Sequence, residues 1–378
     1  MRDKFAFIIH PINPQRDVSR KYPILGKLPI WLIDYLSLFF PPVYISEITG
    51  IQSSANGRSI SGWFIACPFT PTRMLTLPPK VVYKKIIQTG KLAERLGADL
   101  LGLGAFTSVV GDGGITIASQ LDIPVTTGNS YTVATAVHAV KKAAAIMDIN
   151  VSTATAAVVG ATGAIGAVCA QILAPSVNKL LLIGRRREKL EQVAQAAQTT
   201  GTHIEITDDI NQLSQAHLIV TVTSAVDTII EPHHLRQGAV VCDVARPRDV
   251  SLQVAQQRPD VLVIEGGTVE VPGDVDFHFN FGLPPKLAFA CMAETMALTL
   301  DQRFESFTLG KDITLSQVQT IDTIAQKHGF KLGGFRSFER AVTSKEIALI
   351  KTHSQTTELN PKTHLNVNQA SVMDPIIL

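Results

Sequence analysis

The chain is poor in the features that mark secreted, metal-binding and nucleic-acid-binding proteins. Its four cysteines, Cys67, Cys169, Cys242 and Cys291, form no Cys-x-x-Cys pair and no Cys/His set with metal-ligand spacing, which argues against a disulfide framework or a zinc site. Charged residues are 17% of the sequence, and 34 Lys and Arg against 32 Asp and Glu leave a net charge of +2. So balanced a chain lacks the cationic field of a nucleic-acid binder. Long apolar runs are also missing. Phe5 to Ile9 ends at His10-Pro11, too short for a signal peptide. Ile30 to Phe40 carries Asp34 and stops at Pro41-Pro42, well short of the ~20 residues of a spanning helix. No repeat of fixed period is present. A cytoplasmic protein with at most peripheral membrane contact is expected. What is abundant is apolar residue, 46% of 378 positions. That is ample for a core and, at roughly 150 residues per domain, for two or three domains.

Short β-type runs at Tyr44 to Ile51, Ser59 to Cys67 and Leu100 to Leu103 mark the first part of the chain. Asn56-Gly57 between the first two reads as a hairpin whose loop exceeds two residues. Val82, Ile86, Leu92 and Leu96 recur at helical spacing over Pro79 to Leu96. Tyr131 to Met147 is an alanine-rich connector helix, with Thr127 to Ser130 offering caps. After Asp148 the order becomes strand (Thr155 to Val159), glycine turn (Gly160 to Gly166), helix (Ala167 to Leu173) and strand (Lys179 to Ile183), a βαβ unit. A helix at Arg187 to Ala197 and strands at Leu218 to Thr223, Ala239 to Val244 and Val261 to Glu265 follow. Their continuous apolar runs suit a parallel sheet covered on both faces. Helices are expected at Leu287 to Leu300 and Leu315 to His328. A polar tail with little periodicity follows from about Lys351. The fold class is α/β: an N-terminal α/β substrate domain, a doubly wound Rossmann-type NADP domain and a C-terminal helical segment.

The glycine turn reads Gly160-Ala161-Thr162-Gly163-Ala164-Ile165-Gly166 between an apolar strand and a helix. Glycines there let backbone amides approach a diphosphate, and the helix N-terminus adds partial positive charge. Gly160, Thr162, Gly163, Ala164, Ile165 and Gly166 are the expected cofactor contacts. At the end of the second strand, where an acidic residue would hold the ribose of NADH, the chain has Gly184-Arg185-Arg186-Arg187. Guanidinium groups favour a 2′-phosphate, hence NADPH. Arg185 is the first choice for that contact and Arg186 the second; Arg186 and Arg187 read equally well as the solvated start of a helix. Ser224, after the strand Thr221 to Thr223, is placed at the nicotinamide half of the crevice, with Asp243 to Arg246 at the next strand end.

A hydride needs an acceptor. Cys169, on a helix, and Cys242, in a strand, read as small buried hydrophobes. Cys67 and Cys291 are the candidates for a cleft. A thiolate requires a cation, a helix N-terminus or a histidine, and Lys286 with a helix start near Pro285 is expected to serve Cys291. Periodicity alone reads Cys291 equally as a helix core residue. His10, His138 and His278 are possible proton relays, and Glu294 lies three residues after Cys291.

Gln15 to Arg20, Pro41-Pro42 with Ile45 to Thr49, Gly104 to Ser108, Thr127-Gly128-Asn129, Gly160 to Gly166 and Phe289 to Glu294 stand in the order of the cyanobacterial long-chain acyl-ACP reductases, a family the chain resembles from about residue 5 to 335. The resemblance implies NADPH-dependent reduction of a long-chain fatty acyl thioester, carried on acyl carrier protein or coenzyme A, to the fatty aldehyde. It implies Cys291 as the acylated cysteine, for which nearby backbone amides are the natural oxyanion donors, and an aldehyde-consuming enzyme as neighbour. The family's acidic residue in the glycine loop is Ala164 here, and Val244-Ala245-Arg246-Pro247 replaces a glycine-rich turn. The implied domains are an N-terminal acyl domain at 1–149, an NADP domain at 150–285, a helical segment carrying Cys291 at 286–345 and a flexible tail at 346–378. A shikimate-dehydrogenase-like alcohol oxidoreductase without a covalent intermediate is the competing reading. It calls for a Lys and Asp pair that the stretch TTGNSYT lacks.

Overall fold

A computed structural model describes residues 3–225 and 227–356. Five strands come first: β1 (Lys4–Ile9), β2 (Val43–Gln52), β3 (Ser59–Ala66), β4 (Leu100–Leu103) and β5 (Val125–Thr126). Six follow: β6 (Thr155–Val159), β7 (Lys179–Ile183), β8 (His203–Thr207), β9 (Leu218–Thr221), β10 (Val240–Asp243) and β11 (Leu262–Glu265). The shorter β12 (Thr268–Glu270), β13 (Gly273–Asp276), β14 (Leu287–Phe289), β15 (Lys331–Leu332), β16 (Arg336–Ser337) and β17 (Arg340–Ala341) complete the set.

The first sheet has the order β13-β2-β3-β1-β4-β5, with β1 parallel to both β3 and β4 and the β2–β3 hairpin antiparallel. The second, β11-β10-β9-β6-β7-β8, is parallel throughout, the doubly wound Rossmann arrangement. Its apolar runs are explained by burial of both faces: Ala156 and Val158 enter one core cluster, Ala157 and Val159 another. In β1 the same period of two sends Phe5 and Phe7 one way, Ala6 and Ile8 the other. The helix Asn129–Ile146 lies between the sheets, and its Ala134, Val137, Val140 and Ala144 join Phe7 of the first sheet and Val158 of the second in one continuous core. The exposed face of this helix carries His138 and Lys142, one helical turn apart.

Three sequence expectations are corrected here. Leu287 to Phe289 is strand, paired antiparallel with Thr268 to Glu270, and the helix begins only at Ala290. An alanine and leucine pattern does not distinguish a short paired lead-in from a first helical turn, and the partner strand decided it. β8 was not foreseen, because its half-buried HIEIT lies at the sheet edge. Strand pairing also links the spans 1–149 and 150–285: β13, near the end of the second, pairs with β2 of the first sheet. The tail expected from 346 starts within a helix, Ser344–Gln355, and 357–378 lie outside the described residues. Among the described residues no helix is long and apolar enough to cross a membrane.

Candidate active site

The strand β6 ends in the glycine turn, and each glycine answers to a different constraint. Gly160 has φ +79, and a Cβ there would lie 2.6 Å from the Val222 carbonyl oxygen. A Cβ on Gly166 would lie 2.4 Å from the Gly160 oxygen, so this position sets how closely the helix Ala164–Leu173 approaches the strand. Gly163 would meet only the Gly160 oxygen, at 3.3 Å. It is the open position over which a diphosphate fits. The first helical turn leaves its amides without intrahelical acceptors, and Thr162, Gly163, Ala164 and Ile165 line the main cavity beside them. The residues present therefore fit a dinucleotide.

Arg186 also lines that cavity, and its guanidinium donates to the Thr162 hydroxyl at 3.2 Å. Arg185, the first choice from sequence, is exposed and is not among the lining residues. Arg187 is paired in solvent with Glu191 at 3.1 Å. Ser224 lines the cavity next to Thr223, whose N–H and hydroxyl both donate to Asp249, at 3.0 and 2.5 Å. That carboxylate pins the end of β9. At the end of β10, Asp243 accepts the amides of Ala245 and Val250, each at 3.0 Å, and burial pushes its carboxyl up to about 7.

Cys291 opens onto the same cavity, of about 1480 Å³. It is the second residue of the helix Ala290–Leu300, so the partial positive charge of a helix N-terminus acts on its sulfur. The Ala290 amide donates to the Gly267 carbonyl at 2.7 Å, tying this helix start to the turn after β11. Burial pushes the thiol up to about 12, opposed by the N–H groups of Met292 and Ala105. Lys286 does not serve it: that ammonium pairs with Asp274 at 2.8 Å, and strand β14 separates it from the helix start. The other three cysteines are fully buried, and burial pushes the Cys67 thiol up to about 11.

Sequence reasoning left the role of Glu294 open. It is fully buried and accepts from the Thr126 hydroxyl at 2.5 Å, the Tyr131 amide at 2.8 Å and the Thr308 hydroxyl at 2.8 Å. The Tyr131 amide belongs to the first turn of the helix Asn129–Ile146, so the cap expected from Thr127 to Ser130 comes from a carboxylate far along the chain. Of the three histidines, His10 lines the cavity; His138 faces Asp322 at 3.5 Å and His278 faces the Glu47 carbonyl at 3.2 Å. The helix Ile30–Ser37 turns Ile30, Ile33 and Leu36 toward the cavity, while Trp31 and Tyr35 stay exposed. Among the described residues no cluster of metal-ligating side chains is present.

Residues 141–265 match the shikimate / quinate 5-dehydrogenase family model, a span that holds the whole parallel sheet. The aminotransferase PigE of Serratia sp. is 30% identical over 93% of this chain, and the chain spans 42% of its length. Among solved structures, the L-tryptophan dehydrogenase of Nostoc punctiforme is 12% identical over 86% of this chain and 81% of its own, with a TM-score of 0.39. The long-chain acyl-[acyl-carrier-protein] reductase of Synechococcus elongatus is 31% identical over 77% of this chain and 87% of its own length. On that coverage the chain belongs to the family of the long-chain acyl-[acyl-carrier-protein] reductases, oxidoreductases that here carry a dinucleotide domain of the shikimate dehydrogenase type.

Proposed function

We propose that the chain reduces the thioester of a long-chain fatty acid, carried on acyl carrier protein or coenzyme A, to the fatty aldehyde with NADPH, through an acyl thioester on Cys291. The observation that carries this reading is one shared cavity. The glycine turn, a cysteine at a helix N-terminus and an apolar wall from Ile33, Leu36, Phe40, Met74 and Leu77 all line it. The match to the dehydrogenase model lies within 141–265, so it bears on cofactor binding and leaves the acceptor site to the rest of the chain.

In the first step the Cys291 sulfur attacks the thioester carbonyl. The new C–S bond forms as the carrier's C–S bond breaks, and the thiol proton leaves with the carrier thiol. The carbonyl stays electrophilic because one thioester replaces another. The glycine turn and Arg186 would hold NADPH, which would supply the hydride. Charge that gathers on the acyl oxygen would be met by backbone N–H groups of the first turn of the cysteine helix, where fixed donors act without reorganisation. Loss of the Cys291 thiolate releases the aldehyde, and the sulfur regains a proton. A long-chain aldehyde is poorly soluble, so an aldehyde-consuming enzyme is the expected partner.

Mixing the protein with acyl-ACP in the absence of NADPH should add the mass of one acyl group, located on Cys291 by peptide mapping. Cys291→Ala should give neither adduct nor aldehyde while still binding NADPH; aldehyde formation by that variant would refute the covalent route.

A further inference from the structure

His10 follows β1, lines the cavity and is only 8% exposed. Its Nε2 accepts the N–H of Phe106 at 3.2 Å, and its ring meets that of Phe106 edge-on at 5.8 Å. Nε2 is therefore unprotonated and the ring proton sits on Nδ1, which is buried and, among the described residues, makes no hydrogen bond of good geometry, the Pro11 carbonyl being the backbone group that acts on the ring. An imidazole with one poorly satisfied nitrogen is a costly way to fill a core. An aromatic hydrocarbon would pack there without that cost, so packing alone does not explain the residue.

The peptide that His10 holds is unusual. Ala105, immediately before Phe106, has φ +46, a conformation that residues with a Cβ rarely adopt. It is over-determined on its other sides. The Thr107 hydroxyl donates to the Gly104 carbonyl at 2.8 Å and the Ser108 hydroxyl to the Ala105 carbonyl at 2.7 Å. Gly104 packs so tightly on β1 that a Cβ would lie 2.7 Å from the Ile8 oxygen. Ala105 and Cys291 line the same cavity, and the Ala105 N–H is one of the backbone groups that oppose the rise of the thiol's pKa.

We propose that His10 is a positioning residue for Cys291: as a neutral hydrogen-bond acceptor for Phe106 it fixes the strained Ala105 turn, and so keeps the Ala105 N–H where it acts on the sulfur. This rests on the reading of Cys291 as the reactive group, but it concerns the thiol itself and needs no acyl substrate to be tested. The imidazole takes no proton from the cysteine. Burial holds its pKa down to about 4, although Asp17 on the helix that follows, Pro14–Ser19, pulls the other way. Asp17 is itself paired with Arg16 and Arg20. The carboxyl facing Cys291 is Glu294, engaged by its own donors.

The test is the rate of alkylation of Cys291 by iodoacetamide from pH 5 to 10, read by intact mass, with Cys291→Ala as blank. Cys67, Cys169 and Cys242 are buried and stay silent. His10→Phe keeps the ring and removes the acceptor; His10→Gln keeps an acceptor near the place of Nε2. Loss of the acceptor should slow alkylation at pH 7 on the order of tenfold, and the glutamine should restore most of that loss. The wild-type rate should rise smoothly with pH as the thiolate fraction grows, with no step near the ordinary histidine pKa. Wild-type reactivity in His10→Phe, equal slowing in both variants, or a step between pH 6 and 7 in the wild-type profile would each overturn the proposal. Should His10→Phe fail to fold, His10→Gln and the wild-type profile still decide. If these results hold but no protein makes aldehyde from acyl-ACP, the proposed function falls and the positioning role stands.

Discussion

Gly128 packs against Cys291 so closely that a Cβ on the glycine would lie 2.2 Å from the cysteine Cα and 2.4 Å from its Cβ. Gly128 also has φ +75 and stands at the N-cap of the helix Asn129–Ile146. Two helix starts thus meet at one point, each with its own partner. Glu294 of the cysteine helix takes the Tyr131 amide of the connector helix, while Cys291 is left facing the cavity. The carboxylate that sequence placed near the thiol is spent on the neighbouring helix.

Gly128→Ala should therefore displace the cysteine. Clash and left-handed strain together should lower stability by about 2–4 kcal/mol. A misplaced nucleophile should cut acyl-adduct formation by on the order of a hundredfold. Adduct yield by mass and cofactor titration of the same sample separate the two effects. An adduct rate equal to wild type would show that the close packing does not set the sulfur's place.

Arg186 sits over Thr162 at the cavity wall, and Arg185 does not line it. Arg186→Ala should weaken NADPH binding on the order of tenfold and leave NADH binding nearly unchanged, the signature of a lost contact to a 2′-phosphate. Arg185→Ala should have the smaller effect. Titration by nicotinamide fluorescence reads both, and the opposite ranking would move the phosphate contact to Arg185.

His10 should give the fold a sensitivity to acid. Its pKa in the folded protein is about 4 against an ordinary 6.5, so between those values the unfolded chain binds a proton that the folded chain refuses. Stability is then fully present above about pH 6.5 and falls as the pH drops toward 4, by roughly 3 kcal/mol from this group. Denaturant titrations at pH 7 and pH 4.5 should show a smaller acid loss in His10→Gln than in wild type. An equal loss in the two proteins would place the acid sensitivity in other groups.

The parallel sheet and the glycine turn were legible in the sequence because their signals are local. A run such as TAAVV followed by Gly-x-x-Gly-x-x-Gly carries its own strand, turn and helix start. The arginines were legible only as a group, since which guanidinium reaches Thr162 depends on how the chain leaves β7. The cysteine helix was misplaced by three residues at its start for a related reason. The pairing of Leu287–Phe289 with Thr268–Glu270 is a contact between segments that nothing in the apolar spacing announces.

By itself the sequence determined most of the elements: the strands of the parallel sheet other than β8, where the glycines let backbone bend, and the helix that carries Cys291. The tertiary structure alone decided the company each residue keeps. It turned Glu294 from a neighbour of the thiol into a cap for another helix, and brought His10 from the first strand to the turn beside Cys291. Backbone preferences act over a few residues and can be read in order. Burial and hydrogen bonding between segments 96 and 163 residues apart exist only once the two sheets have closed on the helix between them.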